Sequence, residues 1–293
     1  MAGDRLIAIE ATPRFRLVCE VAHTWPRYPP RVAKRRLDTL LAERGLFESR
    51  SRAAAAVMAG DVRVGGRPAR KPGELVTDEA ELAVTEPPPF VSRGGVKLAN
   101  ALDAFGIDPS GSRALDVGAA TGGFTDVLLQ RGAEHVIALD VAYGELHWTL
   151  RNDERVTVIE RRNARSLDPG ELPYAPDLIV ADVSFISLMK VLPAVVAAAA
   201  PRFDMLAMVK PQFEVGRERV GKGGVVRSVE DRRAALVSVG EFARDELGLS
   251  VLGYAPSGLP GPAGNRETFA WLAEPGRDGA VEDPEAAARR VEP

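Results

Sequence analysis

The sequence predicts an α/β protein in which a doubly wound, mainly parallel, seven-stranded sheet of Rossmann-like type follows a small α+β module. Three observations carry this reading. From Arg113 to Val141 come an apolar run, a glycine-rich turn, a helical pattern and a second apolar run ending in an acid. Further short apolar runs alternate with helical periods downstream. A stretch of different, basic composition precedes all of this and ends at TEPPPF, Thr85 to Phe90.

Composition sets outer limits. The chain has 293 residues, 45% apolar and 27% charged, ordinary values for a water-soluble globular protein. The longest apolar run, Val191 to Ala200, is interrupted by Pro193 and is about half of the roughly 20 residues that a spanning helix needs. The start lacks the ordered basic, apolar and small-residue regions of a signal peptide, so a cytoplasmic location is expected. One cysteine, Cys19, excludes an internal disulfide and a cysteine-rich metal site. Net charge is −3, yet from Arg31 to Pro72 eleven Lys or Arg stand against four Asp or Glu, a local balance of +7. A basic module joined to an acidic remainder suggests a polyanion-binding appendage.

Residues 1–31 have no clear period and hold four prolines, which predicts a weakly ordered extension. The basic module is expected over 32–84. Leu37, Leu40, Leu41 and Leu46 form a helical stripe stopped at Gly45, and Ser49 caps a second helix that ends at Gly60. DVRVGG and ELVTDEAELAV read as short strands around a turn. Three consecutive prolines make 85–90 a semi-rigid linker.

The second domain is expected over 91–274. Val96, Leu98, Leu102 and Phe105 fit a helix ended by Gly106. Strands follow at Ala114–Val117, Val136–Leu139, Val156–Glu160, in DLIVADVSF, in FDMLAMVKPQF, in LSVLGYAPS and in ETFAWLAE, with a long helix from about Val229 to Leu247. The tail 275–293 is proline, glycine and charge and is expected to be disordered.

The glycine turn points to an adenosine-containing cofactor. Glycines let backbone approach a ligand, and the following helix offers free N–H groups. A dinucleotide fold shows G-x-G-x-x-G. Here the spacing is Asp116-x-Gly118-x-x-x-Gly122-Gly123, the D-x-G-x-x-x-G-G pattern usual in S-adenosylmethionine enzymes. Asp140, 22 residues after Gly118, stands where a carboxylate accepts both ribose hydroxyls. NAD and a non-binding turn remain the alternatives. Gly216-Arg-Glu-Arg-Val-Gly221-Lys222 almost matches a P-loop, but Gly223 replaces the hydroxyl that binds Mg²⁺, and it reads as a mobile glycine-basic loop.

If a methyl group is transferred, residue types restrict the acceptor. Methylation at carbon five of cytosine needs a cysteine nucleophile, and Cys19 lies in the extension. An exocyclic amine usually calls for Asn/Asp-Pro-Pro-aromatic, whereas this chain has Asp182-Val183-Ser184-Phe185. A hydroxyl remains, and it needs a group that orients or removes a weakly acidic proton. Lys97 precedes the first strand, Asp182 ends the fourth, Lys210 ends the fifth and Glu267 begins the seventh. Doubly wound enzymes place chemistry at such strand ends. Singly, each has an ordinary reading: a surface residue for Lys97 and Glu267, a helix cap for Asp182, a solvated lysine for Lys210.

Two resemblances sharpen this. RRLDTLL, a helix with SR at its start, and the G-D-V-x-V-x-G turn resemble the RNA-binding domain of ribosomal protein S-four. That implies phosphate contacts from Arg35, Arg36, Arg50, Arg52, Arg63, Arg67, Arg70 and Lys71. FVSRGGVKL, LDVGAATGGFT, ADVSFISL, VKPQFE and GNRETF resemble the TlyA, or hemolysin A, family, and the second domain resembles the FtsJ (RrmJ) methyltransferases. The resemblance covers residues 32 to 274 and implies S-adenosylmethionine-dependent methylation of a ribose 2′-hydroxyl, of cytidine, in ribosomal RNA within ribosomal subunits. It places a Lys-Asp-Lys-Glu tetrad on Lys97, Asp182, Lys210 and Glu267. It places the cofactor at Asp116, Gly118, Ala119, Thr121, Gly122, Gly123, Phe124, Asp140, Asn163 and Asp182. No metal is implied, and a monomer is expected. A membrane-active toxin, as the old family name suggests, and a non-catalytic RNA-binding assembly factor are the rival readings.

Overall fold

The computed structural model describes residues 15–17, 34–85 and 89–292, and it divides into two compact units, 1–88 and 89–293. The extension expected over 1–31 lies outside the described residues except for strand β1 (Phe15–Leu17), which pairs antiparallel with β6 (Leu82–Thr85). It covers backbone groups of β6 that would otherwise form an open sheet edge.

The first unit is the expected α+β module. Strand β2 (Lys34–Arg36) leads into α1 (Leu37–Glu43), α2 (Arg50–Ala59), β3 (Val62–Val64), β4 (Arg67–Pro68), β5 (Leu75–Thr77) and then β6. Ser49 Oγ accepts the Arg52 N–H (3.2 Å), and Gly60 ends α2 in the left-handed region. Leu37, Leu41, Ala53, Val57, Val62 and Leu82 form its core. The strands pair as β1-β6-β3-β4 and β2-β5.

The second unit runs α3 (Arg93–Phe105), β7 (Arg113–Val117), α4 (Gly123–Gln130), β8 (His135–Leu139), α5 (Trp148–Arg151), β9 (Val156–Ile159), β10 (Leu178–Ala181), α6 (Leu192–Ala197), β11 (Asp204–Val209), α7 (Pro211–Glu214), α8 (Val229–Glu241), β12 (Ser250–Pro256), β13 (Thr268–Ala273) and α9 (Pro284–Val291). All seven expected strands form one sheet, ordered β12-β13-β11-β10-β7-β8-β9. Strands β11, β10, β7, β8 and β9 are parallel, and β13 lies antiparallel between β11 and β12. One face packs against α3 and α4 and the other against α6, α8 and α9, so the central strands are apolar on both sides. The strand order reverses between the parallel strands β10 and β7, and cavities lie there at the carboxyl ends of the strands.

Two boundaries differ from expectation. Phe90 packs against the second unit and so is not linker, while 86–88 lie outside the described residues. The tail is not disordered over 284–292. Asp283 caps α9 through the Glu285 and Ala286 N–H groups (2.9 and 3.1 Å), and Ala287 and Ala288 are buried. Glu292 is buried too and forms an ion pair with Arg232 of α8 (2.9 Å). Among the described residues no helix is long and apolar enough to cross a membrane.

Candidate active site

The glycine turn closes against the end of β10. Gly118 has φ +87°, and a Cβ there would stand 2.5 Å from the Asp182 carbonyl oxygen. Only glycine combines that conformation with that approach. At Gly123 a side chain would meet Ser92 and the Gly95 N–H (2.8 Å), so SRGG and TGG are matched surfaces where α3 and α4 begin. A side chain at Gly122 would meet Leu146 and Leu150. Gly122, with φ +96°, therefore lets the turn pack closely on these two leucines.

Two cavities adjoin the turn. One, of about 480 Å³, is bounded by Gly118, Ala120, Asp140, Asn163, Asp182 and Phe185. The other, of about 470 Å³, is bounded by Ala119, Thr121, Gly123, Phe124 and by Lys97, Asp182, Lys210 and Glu267. Gly118, Ala120, Asp182 and Ser184 border both, so the two cavities adjoin at these residues. The Asp140 carboxylate accepts the Ala120 and Ala142 N–H groups (both 2.7 Å), which fixes it at the end of β8. Asn163 accepts the Arg165 N–H (3.0 Å) through its side-chain oxygen, leaving its amide N–H groups for a ligand.

Asp116, expected at the cofactor, lies beneath the glycine turn, against the helix that follows it. It is fully buried, and one oxygen accepts both the Thr125 N–H (2.9 Å) and the Thr125 hydroxyl (2.7 Å). This clasps the end of β7 to the first turn of α4. Its other oxygen has no partner, and burial, with Asp182 and Asp140 nearby, pushes its pKa up to about 7 against the Thr125 bonds.

The four ionisable strand-end residues come together as two pairs. Lys97 sits on the inward face of α3, and its ammonium forms an ion pair with Glu267 just before β13. They are 7% and 3% exposed, which excludes the surface reading. Lys210 Nζ stands 2.5 Å from Asp182 Oδ1 and donates to Ser184 Oγ (2.7 Å). The residue spacing did not reveal Ser184. Nor did it reveal Phe185, 93% exposed with φ +64° and bordering the first cavity. The non-glycine residues with left-handed backbone among those described are Ala120, Arg161 and Phe185. They follow β7, β9 and β10, and all stand in or next to the lining of one cavity. Backbone strain gathers in this way at functional sites.

The glycine-basic loop is followed by an anchor at Gly224 and Val226. Buried Asn265 accepts the Val226 N–H (2.9 Å) and donates to the Gly224 carbonyl (2.7 Å). It thus ties these residues to the segment whose Pro260 and Pro262 line the acid–lysine cavity.

In the basic module several expected phosphate contacts already have partners. Arg36 and Arg50 flank buried Asp38 (2.7 and 3.1 Å), whose carboxyl they hold well below the usual range. Arg35 pairs with Glu43 and Arg67 with Glu74, and Arg63 donates to the Gly66 carbonyl (2.9 Å). Arg52, Arg70 and Lys71 are exposed.

A doubly wound sheet with a glycine turn after its first strand, a carboxylate ending its second and a paired lysine–acid cluster beside them is the arrangement of an S-adenosylmethionine-type methyltransferase domain. Residues 90–274 match the FtsJ-like methyltransferase family and residues 35–82 match the S4 domain. The chain belongs to the FtsJ-like methyltransferases. The 16S/23S rRNA (cytidine-2'-O)-methyltransferase TlyA of Mycobacterium tuberculosis is 52% identical over 239 residues, 81% of this chain and 89% of the relative. Hemolysin A of Brachyspira hyodysenteriae is 40% identical over 66% of this chain and 80% of its own. A solved structure of a Streptococcus thermophilus protein carrying the hemolysin label superposes with a TM-score of 0.66 at 39% identity, covering 88% of this chain and 96% of that one.

Proposed function

We propose that this protein methylates a ribose 2′-hydroxyl, of cytidine, in ribosomal RNA within ribosomal subunits, with S-adenosylmethionine as donor. The observation that carries the reading is the pair of lysine–carboxylate contacts, Lys97–Glu267 and Lys210–Asp182, lining a cavity that adjoins the one bordered by the glycine turn, Asp140 and Asn163. The donor set fits that cofactor: Asp140 for the ribose hydroxyls, Asn163 N–H groups for adenine, and a turn whose Gly118 brings backbone close without a phosphate-cradling motif. When bound, the cofactor supplies an electrophilic methyl group on a sulfonium.

The chain's own residues then position the acceptor. An ammonium has three N–H donors. Lys210 forms an ion pair with Asp182 and donates one N–H to Ser184 Oγ; as the ammonium it steers the acceptor by donating a further N–H to the hydroxyl oxygen, and only as the neutral amine does it accept the hydroxyl proton. Lys97, neutralised by Glu267, forms the opposite part of the lining and adds a buried donor without adding net charge. Most of the gain is placement of the oxygen in line with the methyl group. Phe185, exposed at the mouth, offers an unstacked acceptor base a ring to lie against. The exposed Arg52, Arg70 and Lys71 of the first unit contact RNA phosphates and set position rather than sequence.

The test is to map ribose methylation on ribosomal RNA from cells with and without the protein. The reading expects at least one cytidine to lose its 2′-O-methyl group when the protein is missing. An unchanged methylation map contradicts it.

A further inference from the structure

The segment after β11 is tied repeatedly to residues 182–188, which follow β10. Lys210 reaches Asp182 and Ser184 as described. The Phe213 ring lies 5.5 Å from that of Phe185, inclined by 50°. Glu214, two residues from the end of the Lys210–Gln212 stretch, accepts the Ser187 hydroxyl (2.6 Å) with one carboxylate oxygen and the Leu188 N–H (2.9 Å) with the other. The reaction scheme gives Glu214 no task.

Phe185 poses a physical problem that Glu214 answers. A bulky side chain with φ +64° is strained, and its near-complete exposure means that burial does not offset the strain. Such a conformation persists only where its flanks are held. Ser184 is held on one side by Lys210, and Ser187 and Leu188 on the other by Glu214. The Glu214 carboxyl is itself drawn out of water, and burial raises its pKa in spite of these bonds.

We infer that Glu214 is a positioning residue whose carboxylate pins Ser187 and Leu188 so that Phe185 is presented at the border of the cavity that holds Asp140 and Asn163, next to Ser184, which lines both cavities. The inference rests on the ribose-methylation reading for its consequence in activity, but the pinning itself is open to a separate measurement. Glu214 is specific in this role because one carboxylate engages a hydroxyl and a backbone N–H at the start of the single turn Leu188–Lys190. A glutamine retains an acceptor for one of the two donors, and an alanine retains none.

The experiment compares wild type, Glu214→Gln, Glu214→Ala, Ser187→Ala, Phe185→Ala and the Glu214→Ala/Phe185→Ala double variant. The variants that keep Phe185 are assayed for chymotrypsin cleavage after it, and all are assayed for methyl transfer to ribosomal subunits. Cleavage after Phe185 should quicken in Glu214→Ala and less so in Glu214→Gln and Ser187→Ala, with cofactor binding changed by no more than a few fold. Turnover should fall by on the order of tenfold to a hundredfold in Glu214→Ala, the scale that small misplacements cost. It should fall little further when Glu214→Ala is added to Phe185→Ala, because both act through one ring. Unchanged cleavage in all three pinning variants overturns the inference. So do losses of turnover that multiply in the double variant. If Glu214→Ala does not fold, Glu214→Gln, which keeps an acceptor for one of the two donors, carries the comparison. Wild-type protein that transfers no methyl group to ribosomal subunits contradicts the ribose reading, whereas the cleavage result still decides the pinning.

Discussion

At Asp116 the chain keeps a carboxyl where water does not reach it. Its pKa, pushed up to about 7, lies above the ordinary value near 4. Between those values the folded state holds a proton that the unfolded chain has lost. Stability therefore falls as pH rises through that window, by about 4 kcal/mol in all. Asp116→Asn keeps an oxygen acceptor for Thr125 and removes the charge. Urea melts should show the variant more stable than wild type at pH 8, with the difference shrinking by pH 5. The identity of Asp116 was visible in the D-x-G spacing, but its role was not, because the spacing does not tell a carboxylate that touches ligand from one that clasps a turn to a helix. Phe185 was hidden for a similar reason. Its left-handed backbone and exposure arise from Lys210 and Glu214, more than twenty residues away.

At the scale of elements, β7 to β13 lie where their apolar runs placed them, since each run ends on a residue that cannot continue a buried strand, such as Gly118, Asp140, Asp182 or Lys210. The antiparallel insertion of β13 between β11 and β12 has no local signal, because strand order is set by the whole sheet. The prolines and charges of 275–293 predict disorder, whereas Pro284–Val291 folds as α9. Its folding depends on surfaces of α8 and β12 that receive Ala287, Ala288 and Glu292. Glu292→Ala would leave buried Arg232 without its carboxylate partner. The expected loss is about 3 kcal/mol, seen as a lower melting temperature. A change within a few tenths of a kcal/mol would mean that α9 contributes little. In the basic module, Arg36 and Arg50 are committed to Asp38, while Arg52, Arg70 and Lys71 are exposed. Replacing these three with alanine should weaken RNA binding and flatten its slope of log affinity against log salt by about 2. Filter binding at several salt concentrations measures this.

For the whole molecule, net charge of −3 conceals a division of labour between a basic module and a larger unit with the cofactor-type crevice. Membership of the FtsJ-like methyltransferases fixes the kind of chemistry, and the two lysine–carboxylate pairs make a hydroxyl the fitting acceptor. The claim most open to direct attack is that Lys210 handles the acceptor and does not bind the cofactor. The measurement is transfer of labelled methyl groups to ribosomal subunits by wild type and Lys210→Ala, with cofactor affinity taken by calorimetry on the same samples. Transfer should be abolished in Lys210→Ala while cofactor affinity stays within a few fold. Transfer at the wild-type rate in that variant would contradict that claim.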